Sequence, residues 1–248
     1  MFHSESIVFN CLALVILLTP ATVLAENDNP TSQKPPSQEF AMKQSSVQIT
    51  IVDNTGSAKE DETKLRSGPG DPVAGKSKAE LCSGCHGEDG NSMDTLIPKL
   101  AGQYGIYIAK QIRDYQDSLR NHQIMGDIAL SVSDEDLADI AAYFASQPMM
   151  KGDNPSNNRV GKKLFENDDL SRMVVRCNSC HGATGKGQSP RNPVSPVIGG
   201  QHKDYLLGQL VRFKNGDLHN SPSGVMNISV RRLTDAELKA LAEYISGL

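Results

Sequence analysis

The chain has 248 residues, a formal net charge of −4 and only 5% aromatic residues, with no tryptophan. This length allows one large domain or two domains of roughly 100 residues each, and two domains so poor in aromatic residues would have thin cores unless an apolar group filled their interiors. The negative charge argues against nucleic acid or an anionic membrane surface as a binding partner.

Residues 1–25 are predicted to be an export signal. An apolar run from Cys11 to Leu18 is followed by Val23-Leu24-Ala25, which fits a small-residue cleavage site. The run is shorter than the roughly 20 apolar residues that span a bilayer. Residues 1–10 lack the Lys or Arg that usually precedes such a run. We expect a cleaved signal, which removes Cys11 and exports the protein to the periplasm; an uncleaved anchor helix is the alternative.

Residues 26–70 are predicted to be a low-complexity linker. They are rich in Pro, Ser, Gln, Asn, Glu and Lys, and they bury too little apolar surface to fold. Residues 47–52 form a β-prone stretch within this segment, but an isolated strand is expected to stay unpaired.

After the linker the chain repeats itself, which predicts two domains, at 71–150 and 156–248. The spacing between corresponding residues drifts from 95 to 101 along the repeat. The matching pairs are Leu81–Gly87 with Arg176–Gly182, Pro98–Gln103 with Pro196–Gln201, Met125 with Met226, and Tyr143 with Tyr244. Pro148 and residues 152–156 end the first copy. Because only about ten residues connect the copies, the two domains are expected to pack directly against each other.

Each copy is predicted to be helical throughout. The predicted helices are Val73–Cys85, Tyr104–Leu119 and a helix N-capped by Ser133 in the first copy, and Val160–Cys180, Lys203–Lys214 and a helix N-capped by Thr234 in the second. An insertion at residues 166–169 interrupts the pattern of the second copy. Glu237, three residues after Thr234, completes a predicted capping box.

Each copy contains one Cys-x-x-Cys-His motif: Cys82, Cys85 and His86 in the first, and Cys177, Cys180 and His181 in the second. This motif is the attachment signature of c-type haem, in which two thiols add to the vinyl groups of one porphyrin and the adjacent histidine binds the iron. A zinc site built from four cysteines is the main alternative, but it leaves the histidines and the repeated methionines without a role. A thioredoxin-like dithiol is disfavoured because no strand precedes either motif. We therefore expect two covalently bound haem c groups.

The sixth iron ligand separates an electron carrier from a catalyst, because methionine opposite histidine gives a closed iron site with a raised potential. Met226 is the only methionine after His181, and Met125 is its counterpart in the first copy. The predicted ligand pairs are therefore His86 with Met125, and His181 with Met226. Four other methionines are expected to fill the core: Met93, Met149, Met150 and Met173.

Three further histidines, His122, His202 and His219, do not recur between the copies, and we expect surface or loop positions for all three. Pro98 and Pro196 do recur. A backbone carbonyl at each proline is predicted to accept a hydrogen bond from Nδ1 of the proximal histidine, which fixes the ring and raises its basicity.

These motifs resemble those of the cytochrome c4 family. The resemblance covers about residues 70–248 and is carried by Cys82-x-x-Cys85-His86-Gly87, Leu100-Ala101-Gly102-Gln103 and Met125, with Cys177-x-x-Cys180-His181-Gly182, Ile198-Gly199-Gly200-Gln201 and Met226. It implies two tandem class I cytochrome c domains in a periplasmic electron carrier, with the haems facing each other across the domain interface. The linker and the insertion before Cys177 are longer than the family pattern, which leaves a docking role open for either.

Three functions fit the sequence. The first is a carrier, not an enzyme, that takes electrons from a quinol-oxidising complex to a terminal oxidase. The second is a haem subunit of a flavocytochrome-type sulfide dehydrogenase, in which the partner is a flavoprotein. The third is a dihaem redox enzyme, which needs an open sixth position on one iron; the matched methionines argue against it. Any membrane association is expected through these partners.

Overall fold

The computed structural model describes residues 66–152, 154–188 and 195–248. The predicted export signal, the β-prone stretch at 47–52 and most of the predicted linker lie outside the described residues. Within the described ranges the chain consists of helices and loops, with one isolated bridge between Asp169 and Val174. The predicted all-α fold is confirmed.

The first repeat contains five helices within the described residues: α1 Pro72–Lys78, α2 Glu80–His86, α3 Gly105–Gln116, α4 Gln123–Leu130 and α5 Asp134–Ser146. The helix predicted at Val73–Cys85 is divided at Ala79, which forms the C-cap of α1 and the N-cap of α2. The sequence pattern gave no indication of α4. The cap predicted at Ser133 is confirmed, because its side chain accepts from the backbone N–H of Asp136.

The second repeat follows the same order within the described residues: α6 Arg159–Glu166, α7 Asn178–His181, α8 Lys203–Asn215, a 3-10 turn Pro222–Gly224, α9 Val225–Val230 and α10 Asp235–Ser246. The predicted capping box of Thr234 and Glu237 is confirmed.

The helix predicted over Val160–Cys180, with an insertion at residues 166–169, is found only as far as that insertion. The helix ends at Glu166, and an irregular loop precedes α7. Asp169 organises this loop, because its carboxylate accepts from the hydroxyl of Ser171 at 2.6 Å and from Nε of Arg172 at 2.8 Å. Such local side-chain bonds compete with helix formation.

The first and last helices of each repeat pack at very short distance through a glycine. A Cβ added to Gly75 would lie 2.0 Å from the carbonyl oxygen of Asp139, and one added to Gly161 would lie 2.1 Å from that of Ala240. Only glycine allows the two backbones to approach this closely. The repeated close contact brings α1 against α5 and α6 against α10.

The described end of the predicted linker is part of the first repeat. Arg66 and Ser67 are buried. The Arg66 guanidinium donates to the carbonyl of Gly102 at 3.0 Å and lies 4.6 Å from the ring centroid of Tyr104. Burying a cation is favourable here because it has both a hydrogen bond and an aromatic face.

Within the described residues both repeats belong to one compact unit, and the predicted direct packing between them is confirmed. Tyr104 of the first repeat, Met150 of the connecting segment and Val197 of the second form one buried cluster. Hydrogen bonds cross the same interface, including one from the backbone N–H of Tyr205 to the carbonyl of Thr95 at 3.1 Å. Each repeat also has its own core, to which its last helix contributes the largest share of buried residues.

Candidate haem sites

The histidine of each motif is the last residue of a short helix. His86 ends α2 and His181 ends α7, and the glycine that follows each one has positive φ, +85° at Gly87 and +81° at Gly182. A Cβ added at Gly182 would lie 2.2 Å from the carbonyl oxygen of Gly187. The glycine therefore turns the chain sharply after the histidine.

Each histidine ring is anchored through one nitrogen. Nδ1 of His86 lies 2.8 Å from the carbonyl oxygen of Pro98, and Nδ1 of His181 lies 2.9 Å from that of Pro196. A carbonyl oxygen can only accept, so Nδ1 carries the hydrogen and Nε2 carries the lone pair that a metal needs. The predicted hydrogen bond from Nδ1 to each proline carbonyl is confirmed.

Both histidines are buried, with 6% and 7% of their surface exposed. Burial lowers the pKa of both His86 and His181, although the bond to the carbonyl acts in the opposite direction. Because the neutral imidazole is the metal-binding form, this environment favours ligation at neutral pH.

The four cysteines of the two motifs are all unpaired. Cys82 and Cys177 are the more buried member of each pair, whereas Cys85 and Cys180 are exposed. Burial raises the pKa of the Cys82 thiol, and it raises that of Cys177 to about 12. Within the described ranges, no three His, Cys, Asp or Glu side chains come together as a metal cluster. The two cysteine pairs therefore do not converge on a four-cysteine site.

The repeated methionines lie on the two short helices that the sequence pattern did not reveal. Met125 is on α4, and its backbone N–H donates to Nδ1 of His122 at 3.3 Å. Met226 is on α9, where its backbone N–H donates to the hydroxyl of Ser221 at 3.2 Å. A polar side chain just before each helix thus holds the turn that carries the methionine.

One continuous cavity of about 630 Å³ runs through both repeats. Seven of the eight predicted site residues line it: Cys85, His86, Met125, Cys177, Cys180, His181 and Met226. The exception, Cys82, packs against the core of the first repeat. The wall is mostly apolar, with side chains such as Ile108, Leu206 and Ile245. A cavity of this kind suits a large apolar cofactor with a few polar contacts.

Arg120 gives a further test of the fit between the cavity and haem. It lines the cavity, is only 7% exposed, and its Nε has no acceptor among the described residues. Buried donors in proteins are nearly always paired. An anionic group of a bound cofactor, such as a haem carboxylate, would satisfy this donor, so the residues present fit haem.

The comparisons with known proteins agree with this chemistry. The family model for cytochrome c matches residues 73–148 and again 159–248. Cytochrome c4 of Pseudomonas aeruginosa is 38% identical over 188 residues, which cover 75% of this chain and 92% of that protein. The chain belongs to the cytochrome c4 family.

A structure and a second relative extend the comparison. The crystal structure of reduced recombinant cytochrome c4 from Pseudomonas stutzeri matches with a TM-score of 0.68 and 35% identity, over 72% of this chain and 99% of that one. The thiosulfate dehydrogenase electron acceptor of Stutzerimonas stutzeri (strain A1501) is 31% identical, over 68% of this chain and 80% of that protein.

Membership of the cytochrome c4 family establishes two tandem cytochrome c domains and two covalently bound haem c groups, one at each Cys-x-x-Cys-His motif. It also establishes electron transfer as the general function. No helix in the described part of the chain is long and apolar enough to cross a bilayer.

Two expectations about other residues need correction. His202 lies in the loop before α8, as expected, but not at the surface: it is 6% exposed, and its Nε2 lies 3.0 Å from both the hydroxyl and the carbonyl oxygen of Ser92 in the other repeat. Met93 and Met173 do not fill the core, since they are 95% and 52% exposed. Met150 does so, at 1% exposure.

Proposed function

We propose that this cytochrome is a periplasmic electron carrier in which both irons are ligated by histidine and methionine. His86 with Met125 would hold the first iron, and His181 with Met226 the second. With all six positions filled, neither iron offers a site to a substrate, so the protein carries electrons and does not act as an enzyme. A quinol-oxidising complex is the proposed donor and a terminal oxidase the proposed acceptor.

The observation that carries this proposal is the repeated pairing of a histidine with a methionine around one cavity. In both repeats, a buried histidine has Nδ1 anchored to a proline carbonyl, and the corresponding methionine lines the same cavity. An anchored, neutral imidazole is a good iron ligand, and the thioether of methionine opposite it favours ferrous iron. A buried, coordinatively saturated haem exchanges electrons with little rearrangement.

A reduction assay tests the proposed donor. The oxidised protein is mixed with a quinol-oxidising complex and quinol, and haem reduction is followed by absorbance. Fast reduction that depends on the complex supports the proposal. Reduction no faster than by quinol alone contradicts it. Addition of a terminal oxidase should then reoxidise both haems. The protein alone should not turn over peroxide or thiosulfate.

A second donor is favoured by one observation, the 31% identity to the protein named thiosulfate dehydrogenase electron acceptor. In this second proposal the chain accepts electrons from a thiosulfate-oxidising enzyme. The same reduction assay, run with thiosulfate dehydrogenase and thiosulfate, compares the two donors directly. The donor that reduces the protein at least tenfold faster at equal concentration is the physiological class.

A further inference from the structure

Two buried glutamines, Gln103 and Gln201, form reciprocal contacts across the interface between the repeats. They occupy corresponding positions in the two copies, and each is only 5% exposed. Each side-chain amide reaches into the other repeat and pairs with both polar groups of a single backbone residue. A glutamine amide has both a donor and an acceptor, so it can make this pair of bonds without leaving either group unsatisfied.

The contact from the first repeat to the second is made by Gln103. Its Nε2 donates to the carbonyl of Val197 at 2.8 Å, and its Oε1 accepts from the N–H of the same residue at 2.9 Å. The same oxygen also accepts from the N–H of Tyr104 at 3.1 Å, which fixes the amide relative to its own backbone.

Gln201 makes the mirror contact from the second repeat to the first. Its Nε2 donates to the carbonyl of Lys99 at 2.9 Å, and its Oε1 accepts from the N–H of Lys99 at 2.9 Å and from that of His202 at 3.0 Å. Each of the four cross-interface bonds is at normal hydrogen-bond distance and is buried.

The residues held by these glutamines directly follow the two prolines that anchor the proximal histidines. The N–H of Val197 belongs to the same peptide unit as the carbonyl of Pro196, which accepts from His181. The N–H of Lys99 belongs to the same peptide unit as the carbonyl of Pro98, which accepts from His86. Because a peptide unit is planar and rigid, fixing its N–H fixes the direction of its C=O.

We propose that Gln103 and Gln201 are positioning residues that act in trans: each orients the proximal histidine of the opposite domain. Gln103 holds the peptide that anchors His181, and Gln201 holds the peptide that anchors His86. Packing of the domains is thereby coupled to the electronic character of both iron ligands. This inference rests on the proposed ligation of iron by the two histidines.

The direction of the effect follows from the hydrogen bond at Nδ1. A well-placed carbonyl acceptor raises the basicity of the imidazole, so the ligand donates more strongly and stabilises ferric iron. If the peptide loses its glutamine it can rotate, and the bond to Nδ1 weakens. The haem of the opposite domain should then become easier to reduce.

The test uses Gln103→Leu and Gln201→Leu in the full-length haem-loaded protein. Covalent attachment keeps both haems bound in either variant, so the readout is not confused by cofactor loss. Each haem is titrated separately through its hyperfine-shifted proton NMR signals, which are assigned by their loss in Met125→His or Met226→His. We expect Gln103→Leu to raise the equilibrium constant for reduction of the haem at Cys177 and Cys180 about threefold, which is a rise in potential of about 28 mV for a one-electron couple. The haem of its own domain should stay unchanged.

Gln201→Leu should have the same effect on the other haem and make only the haem at Cys82 and Cys85 easier to reduce. Gln147→Leu is the matched control, since this amide donates to the carbonyl of Tyr143 within its own domain at 3.1 Å. It should shift neither haem. Should a leucine variant fail to fold, Gln103→Asn keeps the amide but shortens the side chain by one methylene group, and the same crossed shift is expected.

A shift of the haem in the variant's own domain, an equal shift of both haems, or no shift would overturn the inference. So would a control shift as large as that of Gln103→Leu, because general loosening would then explain the effect. Failure of the proposed function looks different. In that case the unmodified protein would lack the signals of methionine bound to iron, whatever the glutamine variants do.

Discussion

Arg120 is a buried cation at the interface between the domains. Its removal should lower both the free energy of unfolding and the midpoint potential of at least one haem. Its guanidinium donates to Oε1 of Gln111 at 2.6 Å within the first domain, and to the hydroxyl of Tyr205 at 2.9 Å and Oε1 of Gln209 at 3.0 Å in the second. The corresponding position in the second domain holds a buried leucine, Leu218. Arg120→Leu therefore introduces a residue that the fold already accommodates there.

The expected loss of stability can be worked out from these bonds. Gln111 keeps a donor in the variant, because Nδ2 of Asn220 lies 2.8 Å from its oxygen. Tyr205 and Gln209 lose theirs, and a buried acceptor left unpaired costs about 1–3 kcal/mol. Both side chains are only partly buried, so each cost should lie at the lower end of this range. The variant also avoids the desolvation penalty of the buried cation. The free energy of unfolding should fall by about 2 kcal/mol.

Denaturant unfolding followed by circular dichroism measures this change, and Arg113→Leu is the matched control. Arg113 carries the same charge on the same domain, but its pair with Asp134 is 3.3 Å long and largely exposed. Such surface pairs contribute about 0–1 kcal/mol. Equal loss of stability in the two variants would refute the role given to Arg120.

The same pair of variants tests whether Arg120 faces the haems. A buried cation on the cavity wall disfavours the additional positive charge of ferric iron. Arg120→Leu should therefore lower the midpoint potential of at least one haem, and Arg113→Leu should change it much less. An unchanged potential in Arg120→Leu would show that the unpaired Nε points away from the cofactor.

Two further predictions concern stability. Gly161→Ala should destabilise the protein by about 1–3 kcal/mol, because the added methyl group would lie 2.1 Å from a carbonyl of the facing helix. Gly208→Ala is the control, since a methyl group there meets nothing within 4 Å, and it should be neutral or stabilising. Thermal unfolding measures both variants. Arg172 holds the pKa of Glu237 down at about 2, so this pair contributes stability above the unfolded pKa of roughly 4.3 and loses it as pH falls towards 2. The stability difference between the unmodified protein and Arg172→Leu should be constant from pH 5 to 7 and shrink below about pH 4; a difference independent of pH over the acid range would contradict the assignment.

Features that repeat along the chain could be predicted from the sequence. The duplicated motifs located both histidines and both prolines, and the predicted bonds from Nδ1 to the proline carbonyls are present at 2.8 and 2.9 Å. Helix caps were also predictable, since a Ser or Thr hydroxyl just before an apolar helical pattern accepts a hydrogen bond from a backbone N–H only three residues later. These signals are local or are confirmed by their second copy.

Features that depend on a partner distant in the chain could not be predicted. His202 has no equivalent histidine in the first copy, and its partner Ser92 lies 110 residues away. The glutamine pairs bridge 94 and 102 residues, so nothing near either glutamine indicates what it binds. The helices that carry the methionines, α4 and α9, have only eight and six residues, which is too short for a clear hydrophobic period.

The central claim, two haems each ligated by histidine and methionine, is tested most directly by the far-red sulfur-to-iron charge-transfer band of the ferric protein. The band should be present in the unmodified protein and should fall by about half in Met125→His, by about half in Met226→His, and completely in the double variant, because each methionine is proposed to bind one iron. A ferric protein that lacks the band would contradict methionine ligation. A high-spin signal from one haem would also contradict this account, since that haem would have an open position and could act as a catalyst.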